Sequence, residues 1–80
     1  MSLTLEILTP EQKLYSGKVN SVKVHALDGW LEILPNHAAL MTVLAAGPIT
    51  YCEESKGQVA IDATDGLLCV QDNLARIYMT

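Results

Sequence analysis

Apolar residues recur at every second position along much of this 80-residue chain, which is the periodicity of a β-strand with one buried face. In the first run, Leu3, Leu5 and Ile7 alternate with threonine and glutamate. The runs lie at positions 3–7, 22–26, 49–51, 59–61, 68–70 and 74–79. Because successive side chains of a strand point to opposite faces, each run predicts a strand that buries one face.

Turn-forming dipeptides separate these runs at short intervals. Glycine supplies positive φ angles, proline presets φ, and Asp and Asn side chains hydrogen-bond to their own backbone. The dipeptides are Thr9-Pro10, Ser16-Gly17, Asp28-Gly29, Pro35-Asn36, Gly47-Pro48, Lys56-Gly57, Asp65-Gly66 and Asp72-Asn73. Short strands at such spacing are typical of a β-sandwich or barrel, so the sequence predicts an all-β fold.

One segment, 37–44, is ambiguous between a strand and a short helix. Asn36 would cap the start of a helix here and Gly47 would end it, and the alanines between them favour a helix. The positions with helical spacing are His37, Leu40, Met41 and Leu44. From the residues alone both structures remain open.

The composition of the chain argues against several classes of function. A net charge of −4 with only five Lys and Arg argues against nucleic-acid binding, which needs a basic surface. The longest apolar stretch, 38–46, is far shorter than the roughly 20 residues that span a membrane, and polar residues from Thr4 onwards predict no secretory signal. Half of the residues are hydrophobic, so a single domain of residues 1–80 should expose apolar surface, which favours a subunit of an assembly.

The cysteines and histidines show no ligand spacing. Cys52 and Cys69 lie far apart in sequence, and His25 and His37 add no clustered ligands, so a zinc site is not predicted. We expect both cysteines to be reduced and partly buried, which fits a cytoplasmic setting.

An acidic cluster surrounds the predicted hairpin at 53–57. Its members are Glu53, Glu54, Asp62 and Asp65. They lack the closely alternating oxygen ligands of a calcium loop, so a solvated hairpin tip is the expected structure.

The segment 28–40 combines a turn, a short apolar strand and a second turn. Strand alternation places Trp30 outward if Leu31 and Ile33 face the core. An exposed tryptophan is a common hot-spot residue of protein interfaces. The alternative is an indole that covers the open edge of the core.

His37, in the same segment, has three interpretations. As a catalytic base it would need an orienting carboxylate, for which Asp28 and Glu32 are nearest in sequence. The sequence contains neither a nucleophile motif nor a glycine-rich phosphate loop, so no catalytic residue is predicted. The other interpretations are a structural histidine that holds the corner and a surface histidine at an interface.

Several segments, in their order along the chain, resemble the amino-terminal β-domain of the epsilon subunit of F-type ATP synthases, which is called delta in mitochondria. The matching segments are 3–11 with its Thr-Pro-Glu turn, 14–19, 28–40, Gly47 with Ile49, and Asp65-Gly66 before Leu68 and Val70. The 28–40 segment resembles the most characteristic part of the family, roughly EGELGILPxHAPLLT.

The chain departs from the family pattern at several positions. Trp30 stands where an acidic residue is common, Glu32 replaces a second glycine, and Ala39 replaces a proline. The other departures are Ala45-Ala46-Gly47 for Lys-Pro-Gly and Asp65 for one of a pair of glycines. These changes concern the surface chemistry of the contact loop more than the fold.

The resemblance implies an all-β, flattened β-sandwich or barrel of about ten short strands, with a strand at 37–44. It implies a central-stalk (rotor) subunit that joins the gamma subunit to the c-ring and couples proton-driven rotation to ATP synthesis. Such a subunit is not catalytic alone and needs no cofactor or metal. We expect the family's carboxy-terminal helical hairpin to be absent from these residues, and therefore neither ATP binding nor hairpin inhibition.

By the same resemblance, the domain is expected at the cytoplasmic face of a bacterial plasma membrane, or at the organellar equivalent, and on the membrane only through the complex. The implied c-ring contact consists of Asp28, Gly29, Trp30 and Leu31. The implied gamma-subunit contact consists of Pro35, Asn36, His37, Ala38, Leu40, Met41 and Thr42. We expect His37 and Met41 to be its anchors.

Two other classes of protein remain as alternatives. A free-standing β-sandwich module that binds a ligand or a protein, such as a carbohydrate module, would need a row of exposed aromatics, whereas this chain has one Trp, three Tyr and no Phe. A small metal-dependent hydrolase would need at least three clustered ligands, and only two histidines are present.

Overall fold

The computed structural model describes residues 3–54 and 56–80, and within them the chain forms eight β-strands. In chain order these are β1 (Leu3–Leu8), β2 (Lys13–Ala26), β3 (Gly29–Ile33), β4 (Leu40–Leu44), β5 (Gly47–Glu53), β6 (Gly57–Ala63), β7 (Gly66–Gln71) and β8 (Leu74–Met79). The predicted all-β fold is confirmed. In the same two ranges, no helix is long and apolar enough to cross a bilayer.

The strands form one continuous sheet in the order β1-β8-β7-β4-β2-β5-β6, with β3 added beside β2. The sheet closes on itself because β1 pairs with β8 on one side and with β2 on the other. The β1–β8 pair is parallel, and the other pairs are antiparallel. The closed sheet is flattened into two layers, β1-β8-β7-β4 and β3-β2-β5-β6.

The strand β2 is 14 residues long and belongs to both layers. Its first half, Lys13 to Val19, pairs with β1, and its second half pairs with β5 and β3. A register shift between Val19 and Ser21 lies where the strand passes from one layer to the other. Because one long strand serves both layers, the described residues contain eight strands where about ten were expected.

The predicted turn at Ser16-Gly17 is wrong, because both residues lie inside β2. Tyr15 folds its ring over Gly17, and a Cβ atom at position 17 would lie 2.6 Å from the Tyr15 hydroxyl oxygen. The glycine therefore makes room for an aromatic side chain within a strand and does not reverse the chain.

The inward side chains of both layers form a single hydrophobic core. Its buried members are Leu3, Leu5, Ile7, Val19, Val22, Val24, Ile33, Leu44, Ile49, Tyr51, Leu68, Val70, Ala75, Ile77 and Met79. Among the described residues, no polar or charged side chain is buried. Fully burying one aliphatic side chain stabilises the fold by about 1.5–3 kcal/mol, so this cluster is the main source of stability.

The segment 37–44 contains a strand, so the helical alternative is wrong and the strand implied by the family resemblance is confirmed. β4 begins at Leu40 and pairs with β7 from Leu40–Val70 to Leu44–Gly66. Met41 is 70% exposed whereas Leu44 is 2% exposed, as strand alternation requires. Pairing with β7 outweighs the local helix propensity of the alanines.

Candidate partner-binding surface

The first candidate surface is the tip of the β2–β3 hairpin. The chain reverses at Leu27 and Asp28, between the paired residues Ala26 and Gly29. Gly29 has a φ of 135°, a conformation that favours glycine. Leu27 is 70% exposed, and its backbone N–H donates to the Val43 carbonyl at 3.3 Å, which ties the tip to β4.

Trp30 projects outward from this tip, as alternation predicted. Its side chain is 56% exposed, and the ring lies flat against His25, the residue opposite it in the β2–β3 ladder. The ring centroids are 4.8 Å apart and the planes differ by 19°. The Lys23 ammonium lies 5.6 Å from the indole centroid. The indole therefore packs on β2 side chains outside the core, and the alternative that it covers the core edge is wrong.

The second candidate surface begins at the loop between β3 and β4, residues 34–39. The His37 N–H donates to the Leu34 carbonyl at 3.1 Å, and Asn36 has a φ of 67°. Proline followed by a positive-φ asparagine is typical of a type II turn. The Asn36 N–H also donates to the side-chain oxygen of Asn73 at 2.6 Å, across the molecule.

The His37 ring is half-buried in this loop. Its Nδ1 lies 2.8 Å from the Ala38 carbonyl oxygen, to which it donates in the Nδ1–H tautomer. Asp28 and Glu32, the carboxylates considered as orienting partners, lie elsewhere: Asp28 at the other end of β3 and Glu32 opposite Lys23. This geometry fits the structural interpretation of the histidine.

The loop leads into an apolar area that we call the β4–β7–β8 face, the outward side of those three strands. Met41, Val43 and Tyr78 are its most exposed apolar residues, at 70%, 49% and 42%. The ladder places Val43 beside Leu67 and Leu67 beside Tyr78. An open groove of about 640 Å³ runs across it, lined by residues that include Leu40, Met41, Cys69, Val70, Leu74 and Tyr78.

Sequence reasoning missed most of this face. Of its outward apolar residues only Met41 was predicted as a contact, whereas Val43, Leu67 and Tyr78 were not. Strand alternation carried a usable signal, because Val43 follows Met41 by two positions and therefore shares its side of β4. The neighbouring strands β7 and β8 are far away in sequence, so nothing local pointed to them.

A chain of ion pairs borders the face on β1. The Arg76 Nε donates to Glu6 Oε1 at 2.9 Å, and the Lys13 Nζ lies 3.6 Å from Glu6 Oε2. The hydrogen bond from Arg76 and the nearby Lys13 charge lower the pKa of Glu6.

The predicted c-ring contact and the loop part of the predicted gamma contact lie at the two ends of β3, whereas Leu40, Met41 and Thr42 of the gamma contact lie on β4. The 28–30 segment lies at the hairpin tip, and 35–38 lies in the loop at the other end. Leu31 and Leu40 pack against the core, so their side chains support the two surfaces from below. Thr42 is half-buried between Met41 and Val43, which point outward.

The remaining candidate ligand groups are dispersed. Within residues 3–54 and 56–80, no three His, Cys, Asp or Glu side chains are grouped closely enough to hold a metal ion. Cys52 and Cys69 are half-buried and free. Glu53 pairs with Gly57 at the β5–β6 hairpin, where an acidic hairpin tip was predicted.

The fold and its sequence match one known family over almost their whole extent. Residues 2–79 match the family described as ATP synthase, Delta/Epsilon chain, beta-sandwich domain. The chain belongs to this family. The family resemblance inferred from the sequence is confirmed.

The chain is similar to curated epsilon chains over part of their length. The ATP synthase epsilon chain of Brevibacillus brevis is 32% identical over 75 residues, which cover 94% of this chain and 57% of the relative. The epsilon chain of Moorella thermoacetica is 36% identical over 67 residues, which cover 84% of this chain and 50% of that relative. This delta/epsilon-type domain therefore spans about half the length of those relatives.

Two solved structures share the fold. A chain of the Euglena gracilis mitochondrial ATP synthase (OSCP/F1/c-ring) superposes with a TM-score of 0.90 at 16% identity, covering 98% of this chain and 50% of that one. A chain of the Tetrahymena thermophila mitochondrial ATP synthase (central stalk/c-ring) superposes with a TM-score of 0.81 at 20% identity, covering 100% of this chain and 64% of that one. At these identities the likeness shows the fold alone.

Three of the positions where this delta/epsilon-type domain departs from the family pattern are exposed, and two of them, Trp30 and Ala39, lie on the candidate surfaces. Trp30 stands at the hairpin tip, Glu32 lies opposite Lys23 in the ladder, and Ala39 lines the groove. None of the three belongs to the core. These three departures therefore change exposed side chains and leave the hydrophobic core unchanged.

Proposed function

We propose that this chain is the β-sandwich domain of a central-stalk (rotor) subunit of an F-type ATP synthase, which joins the gamma subunit to the c-ring. In this role it carries proton-driven rotation towards ATP synthesis and makes or breaks no bond itself. Membership of the delta/epsilon family supports the proposal. So do the solved assemblies with the same fold, since their descriptions name a c-ring.

The observation that carries the proposal is the position of the hairpin tip and the 34–39 loop at opposite ends of one strand, β3. β3 has five residues, so about 16 Å of strand separates the hairpin tip from the 34–39 loop. Both ends are tied into one closed sheet around a hydrophobic core. A body that transmits torque between two partners needs two separate contacts on one rigid frame.

We assign the hairpin tip to the c-ring contact. Asp28, Gly29 and Trp30 form the exposed tip, and Leu31 anchors it in the core. The Trp30 indole offers a flat apolar surface whose orientation is held by His25. Aromatic side chains in such positions are frequent interface hot spots.

We assign the loop and the β4–β7–β8 face to the gamma-subunit contact. The loop residues are Pro35, Asn36, His37 and Ala38, and the strand residues are Leu40, Met41 and Thr42, extended by Val43 and Tyr78. A face with three large exposed hydrophobic side chains is unfavourable in water. Covering it with a partner removes that cost. With the hairpin tip on the c-ring, we expect the domain to lie beside the membrane in the assembled enzyme, on the side that faces the bacterial cytoplasm or its organellar equivalent.

Cysteine crosslinking in the assembled enzyme tests both assignments. The background carries Cys52→Ser and Cys69→Ser, so that each variant has a single thiol. We expect Trp30→Cys to crosslink to the c-ring and His37→Cys to gamma, while Ala60→Cys, exposed on β6, serves as the control. Crosslinking of Trp30→Cys to neither partner would overturn the tip assignment, and failure of the chain to bind gamma would favour a free-standing binding module.

A further inference from the structure

We infer that Asn73 is a positioning residue for the gamma contact: its side chain holds the loop around Asn36 and His37 in the shape that the partner binds. The inference rests on the proposed function. Asn73 itself lies in the turn between β7 and β8, far from the loop in sequence, and belongs to none of the predicted contacts.

The two asparagines are joined by a pair of hydrogen bonds. The Asn36 backbone N–H donates to Asn73 Oδ1 at 2.6 Å, and the Asn73 Nδ2 donates to Asn36 Oδ1 at 3.2 Å. The partners are 37 positions apart in sequence. We call this pair of bonds the asparagine clasp.

The clasp ties the loop to the rest of the molecule. The other loop bonds are local, since the His37 N–H donates to Leu34 and the His37 ring to Ala38. Among the described residues, the bonds to Asn73 are the ones that join residues 34–39 to a distant part of the chain. Without them, the position of His37 depends on local bonds within the loop and on the flanking strands β3 and β4.

Asn73 is itself held in place on two sides. Asp72 and Asn73 have φ angles of 53° and 60°, as in a two-residue type I′ turn. The Thr4 N–H donates to the Asn73 carbonyl at 2.9 Å, which ties this turn to β1. Asparagine tolerates positive φ and also carries an amide, so it satisfies the turn and the clasp together. A glycine at position 73 would satisfy only the turn. Substitution by glycine therefore separates the role of Asn73 in the turn from its role in the clasp.

The test compares three variants of the full chain. Asn73→Gly keeps the turn and removes both clasp bonds, whereas Asn73→Asp keeps an acceptor for the Asn36 N–H. Asp72→Gly is the matched control for hydrogen exchange, because Asp72 is a positive-φ neighbour whose side chain makes no bond to the loop. Hydrogen exchange of the Asn36 amide is measured on the chain alone, and affinity for purified gamma subunit is measured alongside the thermal midpoint.

We expect Asn73→Gly to speed exchange at Asn36 and to weaken gamma binding by about tenfold, the equivalent of one or two neutral hydrogen bonds. Asn73→Asp should retain most of the exchange protection and most of the affinity, and Asp72→Gly should leave the exchange at Asn36 unchanged. Unchanged exchange at Asn36 in a folded Asn73→Gly variant would overturn the clasp. Faster exchange with unchanged affinity would overturn its role in binding. If the unsubstituted chain fails to bind gamma, the proposed function fails and takes the binding role with it, while the exchange result still decides the clasp.

Discussion

Trp30 and His25 form a stacked pair across the β2–β3 ladder, with ring centroids 4.8 Å apart and planes within 19° of parallel. The pair orients the one tryptophan of the chain at the tip of a hairpin. Because the indole touches β2 and leaves the core untouched, its orientation can be changed without unfolding the protein.

We therefore expect His25→Ala to free the indole. The fluorescence anisotropy of Trp30 should fall and its quenching by acrylamide should rise, with a loss of stability of about 0.2–1 kcal/mol for one cross-strand pair. His37→Ala, at the other end of β3, is the control and should leave the emission unchanged. Equal anisotropy in His25→Ala and the unsubstituted chain would show that the stack does not hold the indole.

Gly17→Ala should destabilise the domain by about 1–3 kcal/mol, because the added methyl group would collide with the Tyr15 ring. Urea unfolding measures the loss. Combining Gly17→Ala with Tyr15→Phe removes the nearest atom, the hydroxyl oxygen, so part of the loss should be recovered. If the stability losses of the two single variants simply add up in the double variant, this contact is ruled out as the cause.

Stability should fall at high pH through Tyr15. Burial, and secondarily the Glu53 carboxylate, raise the pKa of Tyr15 from 10.0 to about 12. Between these two values the folded state keeps a proton that the unfolded state has lost, so the free energy of unfolding decreases as pH rises. Unfolding experiments across that window should show the decrease, and Tyr15→Phe should reduce it. Burial also raises the pKa of Tyr51. Part of the decrease in stability should therefore remain in Tyr15→Phe.

At low pH the corresponding group is Glu6. The Arg76 hydrogen bond lowers the pKa of Glu6 below its ordinary value of 4.5. The folded state therefore favours the carboxylate, and this contribution is present above pH 4.5 and lost as pH falls through the lowered value. Glu6→Gln should flatten the stability profile in that range, as measured by thermal unfolding at a series of pH values. An unchanged slope would mean that the ion pair is not linked to folding.

A charge on the β4–β7–β8 face should weaken gamma binding. Met41→Asp places a carboxylate on an exposed position, so the fold should tolerate it, and affinity for gamma should fall by at least about tenfold. The matched control is Ala60→Asp, which adds the same charge to an exposed strand position in the other layer. Equal affinities for the two variants would remove this face from the proposed contact.

The alternation of apolar residues was sufficient to predict the strands and the side of each strand that is buried. Side-chain direction in a strand changes with every residue, so the pattern is local and readable from the chain. The outward position of Trp30 followed from this rule. The segment at 37–44 did not, because helix and strand patterns overlap in a short apolar run and only pairing with β7 decided between them.

The sequence by itself determined the all-β class, most of the turns and the family. The tertiary structure alone decided which strands that are distant in sequence lie side by side, because that depends on closure of the sheet and has no local signal. Closure of the sheet brings Glu6 to Arg76 and Asn36 to Asn73, and it assembles the apolar face from β4, β7 and β8. The local pattern therefore determines what each strand exposes, and the pairing of distant strands determines the surface that a partner meets.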